Sequence, residues 1–328
     1  VIVLLLIVAG LGLLIIGGEL LVRGSVRTAE RLGVSPLLIG LTLVGFGTST
    51  PELVTSVQAG LIGSPGIAVG NIIGSNIANV LLIIGLCALI SPLAVEAGSL
   101  RRDGAVMIAV SLLFVLLAWT LGLTRIVGVG LLTLLIVYLV TAYLQERRAA
   151  GGHSAAYERA EAAEGVDPGL RPAAPKPGLG AMLGAPALAL VGLGLILVGG
   201  RLFVDGAVQL ARLSGISEPV IGLTIVAVGT SMPELVTSAV AAFRKQSAVA
   251  LGNIIGSNIY NLLGIGGVTA LIAPTKIPES FLWVDLPVMI LSAGALILFG
   301  STGARIGRRE GAVLLGAYIA YVVYALVA

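Results

Sequence analysis

Shifted by 182 residues, the sequence lies over itself. GLGLLIIGGELLV from Gly10 aligns without a gap with GLGLILVGGRLFV from Gly192. At the same offset GTSTPELVTS (Gly47 to Ser56) meets GTSMPELVTS (Gly229 to Ser238) at nine of ten positions. GNIIGSNIAN (Gly70 to Asn79) meets GNIIGSNIYN (Gly252 to Asn261), again at nine of ten. Whatever one half folds into, the other must also build. Both halves are poorly suited to water: 57% of the residues are hydrophobic and 11% charged, against about 25% charged in an ordinary soluble domain. With lipid as the solvent of the outer face, this composition predicts an all-α membrane protein.

Apolar runs of roughly 20 residues are expected for spanning helices. Ten such runs lie near 1–22, 35–61, 66–90, 104–121, 126–145, 181–204, 218–243, 248–273, 284–300 and 311–328. The first is long enough to span and leads straight into more of the same, so a retained helix is expected rather than a cleaved leader. The halves are then 1–145 and 181–328, five helices each. An odd number of spans per copy sets the second copy upside down relative to the first. Inverted repeats with polar, helix-breaking motifs at matching positions are a signature of secondary transporters.

Between the halves, residues 146–180 carry charge and then prolines at 168, 172, 175 and 177, which is linker chemistry. A regulatory cation site on its acidic residues is an alternative use. Alternate assignment of the loops puts 15 Lys and Arg on one side of the membrane and 4 on the other. The richer side, which includes the linker, is predicted to be cytoplasmic, with both termini outside. Sixteen arginines against three lysines, with abundant alanine and glycine, suggest a GC-rich prokaryote and hence the cell (inner) membrane. The basic excess is thus explained by orientation, without a nucleic-acid partner. One cysteine, Cys87, excludes an intrachain disulfide, and the single histidine, His153, has no companion for a metal or catalytic site.

Glu52 and Glu234 are the residues that do not belong in lipid. Each lies deep inside an apolar run, where a carboxylate costs on the order of 2.5–3.5 kcal/mol even on insertion scales. No lysine or arginine lies in the two motif segments to neutralise them; a bound cation would. Pro51 and Pro233 lack the amide hydrogens that the carbonyls of Gly47 and Gly229 would accept, so each helix is expected to break and free backbone oxygens at mid-depth. Thr48, Ser49, Thr230 and Ser231 add hydroxyls in the same turn. Ser75 with Asn79, and Ser257 with Asn261, place serine and asparagine four apart on one helical face. All of this is hard oxygen, which suits calcium, with its about 6–8 ligands, or sodium, and not zinc or copper. Blander uses compete: GNIIG as a close-packing pattern through Gly70, Gly74, Gly252 and Gly256, interhelical bonds from Asn71, Asn76, Asn253 and Asn258, and back-bonding by Ser49, Ser231, Thr55 and Thr237. Glu19 and Asp205 lie near span ends and read as interfacial.

The paired motifs resemble the alpha repeats of the sodium/calcium exchanger branch of the calcium/cation antiporter family, in its prokaryotic form. The resemblance covers most of the chain. It implies ten helices, with the second, third, seventh and eighth enclosing the ion sites. Carried over, it makes Glu52, Glu234, Thr48 and Thr230 ligands of calcium and sodium, and gives Ser49, Ser231, Ser75 and Ser257 to sodium. Asn79 and Asn261 would line the middle site, with the carbonyls of Gly45 and Ala227 contributing. Potassium-dependent relatives carry aspartate where this chain has Asn261, which argues against potassium cotransport.

The implied function is antiport of Na+ for Ca2+ by alternating access, with no cofactor beyond the transported ions and no obligate protein partner. Three sodium ions against one calcium, a ratio that comes with the resemblance, would make the cycle electrogenic. The first and sixth helices would slide over the other four, with Gly12, Gly17, Gly18, Gly194, Gly199 and Gly200 permitting close contact. The alternatives are an antiporter driven by protons and a passive cation channel. An enzyme is not expected, since no HExxH and no activated serine or cysteine arrangement is present.

Overall fold

The runs expected at 35–61 and 218–243 are not single helices, and the breaks in them organise the molecule. The computed structural model describes residues 2–32, 36–95, 97–163, 179–213 and 227–327. Helix α1 (Ile2–Leu32) is followed by a short α2 (Pro36–Ile39), a π-helical turn (Gly40–Val44), α3 (Gly45–Thr48) and α4 (Thr50–Leu61). Helix α5 (Pro65–Ala78) passes through a second π turn (Asn79–Ile84) into α6 (Gly85–Ile90). Then come α7 (Ala97–Thr120), α8 (Arg125–Ala163) and α9 (Leu179–Leu213). Residues 218–226 of the seventh run lie outside the described residues; its remainder is α10 (Ala227–Thr230) and α11 (Met232–Phe243). Helix α12 (Ser247–Tyr260) meets a third π turn (Asn261–Ile265) and α13 (Gly266–Ile272). The chain closes with α14 (Glu279–Trp283), α15 (Asp285–Ser301) and α16 (Arg308–Val327).

Among the described residues, seven helical segments are long and apolar enough to cross a bilayer. Two of them are unlike the rest. Pro65–Ile90 is 78% buried and Ser247–Ile272 is 83% buried, whereas the other five are between 22% and 39% buried. The two GNIIGSN segments therefore run through the middle, and the remaining long helices face lipid on one side. A two-residue ladder, Leu93 with Ile306 and Ala94 with Arg305, ties the end of α6 to the start of α16. Helix α8 continues to Ala163, well past position 145. The stretch 145–163 holds no proline and is rich in alanine and glutamate, so nothing stops a helix already under way. The prolines at 168, 172, 175 and 177 lie outside the described residues.

Two glycine stripes seat α1 against α9. Gly10, Gly17 and Gly24 recur every seven residues, as do Gly192, Gly199 and Gly206. Seven residues are two helical turns, so each stripe keeps to one face. A Cβ at Gly10 would lie 2.6 Å from the amide nitrogen of Phe203, and one at Gly17 would lie 2.8 Å from the carbonyl of Gly192. At Gly24 it would strike the backbone of Ala189, and at Gly192 that of Leu21. The partner numbers fall as the α1 numbers rise, so the pair is antiparallel. Of the glycines expected to permit close contact, Gly17 and Gly199 lie in this seam. Gly12 and Gly194 face no neighbouring atom within 4 Å, Gly18 rests on α11, and Gly200 reaches only Leu14 at 3.9 Å. The expected contact was with the other four helices; Gly17 and Gly199 instead seat the first and sixth helices on each other, and among these six only Gly18 is placed against one of the four.

The same close approach sets the core. Gly40 sits with a would-be Cβ 2.9 Å from the carbonyl of Val249, and one at Gly256 would land on the carbonyl of Leu41. Helix α12 is thus pressed backbone to backbone against the π turn at 40–44. The close-packing use of GNIIG holds for Gly256. Gly85 and Gly311 meet in a second contact of this kind, and Gly128 and Gly267 in a third.

Candidate ion-binding site

Each helix breaks at a serine. Ser49 has φ −79° and ψ 10°, and Ser231 has φ −87° and ψ 10°. The helices restart directly after, with Pro51 and Pro233 in the first turn, where a missing amide hydrogen costs nothing. The breaks therefore fall two residues ahead of the prolines. The restart puts Glu52 and Glu234 in the first turn of α4 and α11, at the positive end of each helix dipole. The Gly47 carbonyl freed by Pro51 is taken by the hydroxyl of Thr50, which donates to it at 2.8 Å. The second half has Met232 at that position and no such hydroxyl.

Both glutamates are 1% exposed. Among the described residues neither has an ion-pair partner. Each is held by the opposite half of the chain: Ser49 Oγ donates to Glu234 Oε1 at 2.8 Å, and Ser231 Oγ donates to Glu52 Oε1 at 3.1 Å. The serines thus turn to the carboxylates and not back onto their own helices. Asparagines of the central helices brace the same residues from behind. Asn71 Nδ2 donates to the carbonyl of Glu52 at 3.0 Å and to Ser56 Oγ at 2.8 Å. Asn253 Nδ2 donates to the carbonyl of Glu234 at 3.3 Å and to Ser238 Oγ at 2.8 Å. These two asparagines, read from sequence only as interhelical bonders, position both acids.

Thr48, Ser257 and Asn261 are fully buried, Asn79 is 1% exposed and Ser75 6%. Thr48 Oγ1 lies 3.0 Å from the carbonyl of Val44 and 3.1 Å from Asn253 Oδ1. Ser257 Oγ donates to the carbonyl of Gly45 at 3.1 Å, whereas Ser75 Oγ donates to the carbonyl of Asn71 in its own helix at 2.6 Å. The Gly45 carbonyl also receives the amide of Ser49 at 3.2 Å. Thr230 ends α10 and Ala227 begins it. Asn79 and Asn261 each open a π turn. The wider coil there carries an extra residue per turn, a device common at functional sites.

Among the described residues, four buried oxygens in this group have no hydrogen-bond partner: Oε2 of Glu52, Oε2 of Glu234, Oδ1 of Asn79 and Oδ1 of Asn261. Native interiors seldom leave such atoms unmatched. These two carboxylate and two amide oxygens are each buried, and are hard donors of the chemistry that calcium and sodium accept. The serine contacts carry a direct expectation. A hydrogen bond to a charged group contributes about 1.5–3 kcal/mol. Ser49→Ala or Ser231→Ala should therefore lower the stability of the ion-free protein by about that much, read as a fall in the melting midpoint of the purified variant.

The signature described as sodium/calcium exchanger protein matches residues 2–144 and 184–327. The sodium/calcium exchanger MaX1 of Methanosarcina acetivorans is 36% identical over 347 aligned residues, covering 97% of each chain. Inner membrane protein YrbG of Escherichia coli is 35% identical over 320 residues, covering 96% of this chain and 94% of that one. A structure of the sodium-calcium exchanger NCX_Mj, soaked with Na+ and Sr2+, superposes with a TM-score of 0.82 at 34% identity and 98% coverage of both chains. Fold and family signature together define a multi-pass membrane ion transporter. The chain belongs to the sodium/calcium exchanger family.

Proposed function

We propose that this protein is a secondary active antiporter that exchanges Na+ for Ca2+ by alternating access. The observation that carries the reading is the pair of buried carboxylates at the meeting of the two halves, each with one oxygen unmatched. Two negative charges neutralise one calcium ion. Glu52, Glu234, Thr48 and Thr230 bind calcium or sodium, and Ser49, Ser231, Ser75 and Ser257 serve sodium. Asn79 and Asn261 line the middle, and the carbonyls of Gly45 and Ala227 complete the set.

The fold reading that goes with this is ten spanning helices in two inverted five-helix repeats, 1–145 and 181–328. The reciprocal bonds from Ser49 to Glu234 and from Ser231 to Glu52 support it, as do the matching braces from Asn71 and Asn253. The arginine-rich ends face the cytoplasm with residues 146–180, and both termini lie outside the cell membrane. Exchange of three sodium ions for one calcium moves one charge per cycle, on which the membrane potential acts by about 2.3 kcal/mol per 100 mV. With asparagine at 261, transport is expected to be indifferent to potassium. Replacing potassium by choline at fixed sodium should leave the uptake rate unchanged.

The test is calcium uptake into proteoliposomes under outward sodium, potassium, proton or no gradient. Uptake driven by outward sodium alone supports the reading. Uptake driven by protons alone moves the assignment to proton antiport, and equal uptake without any gradient means a channel.

A further inference from the structure

The two halves are not packed alike, and the difference lies at one end of the molecule. Gly18 of α1 rests on α11: a Cβ there would lie 3.0 Å from Val240 and 3.1 Å from Val236. The positions 182 residues away are Gly200 on α9, and Gln58 and Val54 on α4. Among the described residues there is no such seat here. Gly200 meets only Leu14, at 3.9 Å, and Gln58 and Val54 are both exposed, Val54 by 48%. Helix α1 covers its partner at the arginine-rich end, while α9 leaves its own partner uncovered at the other.

A second feature marks the covered end. Glu19 of α1 receives both forks of Arg244, which follows the last turn of α11, with Arg244 Nε at 2.9 Å from Glu19 Oε2 and Arg244 Nη2 bonded to Oε1. Arg23, one turn on in α1, pairs with the same carboxylate. Shifted by 182 residues, Glu19 becomes Arg201 and Arg244 becomes Ile62, both exposed, so the uncovered end has no counterpart. A fork of this kind is geometrically demanding. Sliding α1 along its axis by one turn, about 5.4 Å, would separate the two groups.

We propose that Glu19 and Arg244 are positioning residues for the exchange cycle. Their ion pair holds α1 down on α11, keeps the arginine-rich face of the ion site closed, and biases the protein toward access from the opposite face. This rests on the alternating-access reading above. The glutamates of the site are untouched by it, since Glu19 lies at the edge of the bundle with a quarter of its side chain exposed.

The experiment labels single cysteines with a membrane-impermeant maleimide in detergent at one fixed sodium concentration. V240C reports the covered seat beneath Gly18, and Q58C reports the uncovered one. The native Cys87 is fully buried, so the wild type serves as the unlabelled control. In the R244Q background, V240C should label about two- to fivefold faster, as expected for an ion pair of this exposure, while Q58C labels more slowly. The exchanged pair E19R/R244E should restore both rates. R244K, which keeps the charge and loses the fork, gives an intermediate change and replaces R244Q if that variant does not reach the membrane. Unchanged V240C labelling, or faster labelling at both sites, overturns the proposal, the latter because a merely loosened structure opens everywhere. Sodium-driven uptake in the wild type with no labelling response sinks the latch alone. A reciprocal labelling response without sodium-driven uptake sinks sodium antiport and leaves the latch standing.

Discussion

Glu52→Gln and Glu234→Gln should each abolish sodium-driven calcium uptake while leaving the protein folded in the membrane. Glutamine keeps the shape of the side chain and one carbonyl oxygen, so the seryl hydroxyl from the other half retains its acceptor. What is lost is one of two charges facing a doubly charged ion in a site that is 1% exposed at both acids. Removing one partner of a buried charge pair costs about 3–5 kcal/mol, or roughly a hundred- to several-thousand-fold in affinity. In the ion-free protein the sign is opposite, because a buried carboxylate without a partner is itself unfavourable. Thermal melting of the purified variants should therefore show equal or higher stability without calcium and little further gain on adding it. Retained calcium-dependent stabilisation in both variants would remove the carboxylates from the binding set.

The second large effect belongs to the glycine seam. Gly192→Val should prevent α1 and α9 from seating, whereas Gly194→Val, two residues along the same helix, should be tolerated. A Cβ at 192 would strike the backbone amide of Leu21, while position 194 has no neighbouring atom within 4 Å. Overpacking costs about 1–3 kcal/mol where side chains can shift aside. Here the obstacle is backbone on both sides, so the upper end or more is expected. Size-exclusion profiles and melting midpoints of the two variants, compared with wild type, read the difference. Equal behaviour would mean that the seam is not where the two helices touch.

These two regions show how far the sequence could be read. The acids and their breaks were legible because lipid makes a carboxylate conspicuous and proline announces a helix restart. That glycines bring α1 and α9 together was not legible, since the sequence reading sets them against the other four helices: with five glycines in α1 and seven in α9, only the seven-residue recurrence of Gly10, Gly17 and Gly24 picks out the seam. The π turns at 40–44, 79–84 and 261–265 have no signature in residue type, since the backbone widens in response to what packs on it. The partner of each serine was equally hidden. Spacing along the chain says that Ser49 and Glu52 are neighbours; it does not say that Ser49 serves Glu234. Glu19 read as interfacial from its place near a span end, and that reading carries no hint of its pairing with Arg244, which joins residues 225 positions apart.

The crossed serines have a consequence for how such a protein can be cut or assembled. Neither half contains a finished site, because each acid takes its hydroxyl from the other. Two polypeptides divided within 164–178 and produced together retain both crossed bonds, whereas either alone presents a carboxylate without its seryl donor. By the same logic, a gene encoding one half could cross its serines in this way only by pairing two copies of its product. The fused chain removes that search for a partner: every molecule made carries both members of each crossed bond.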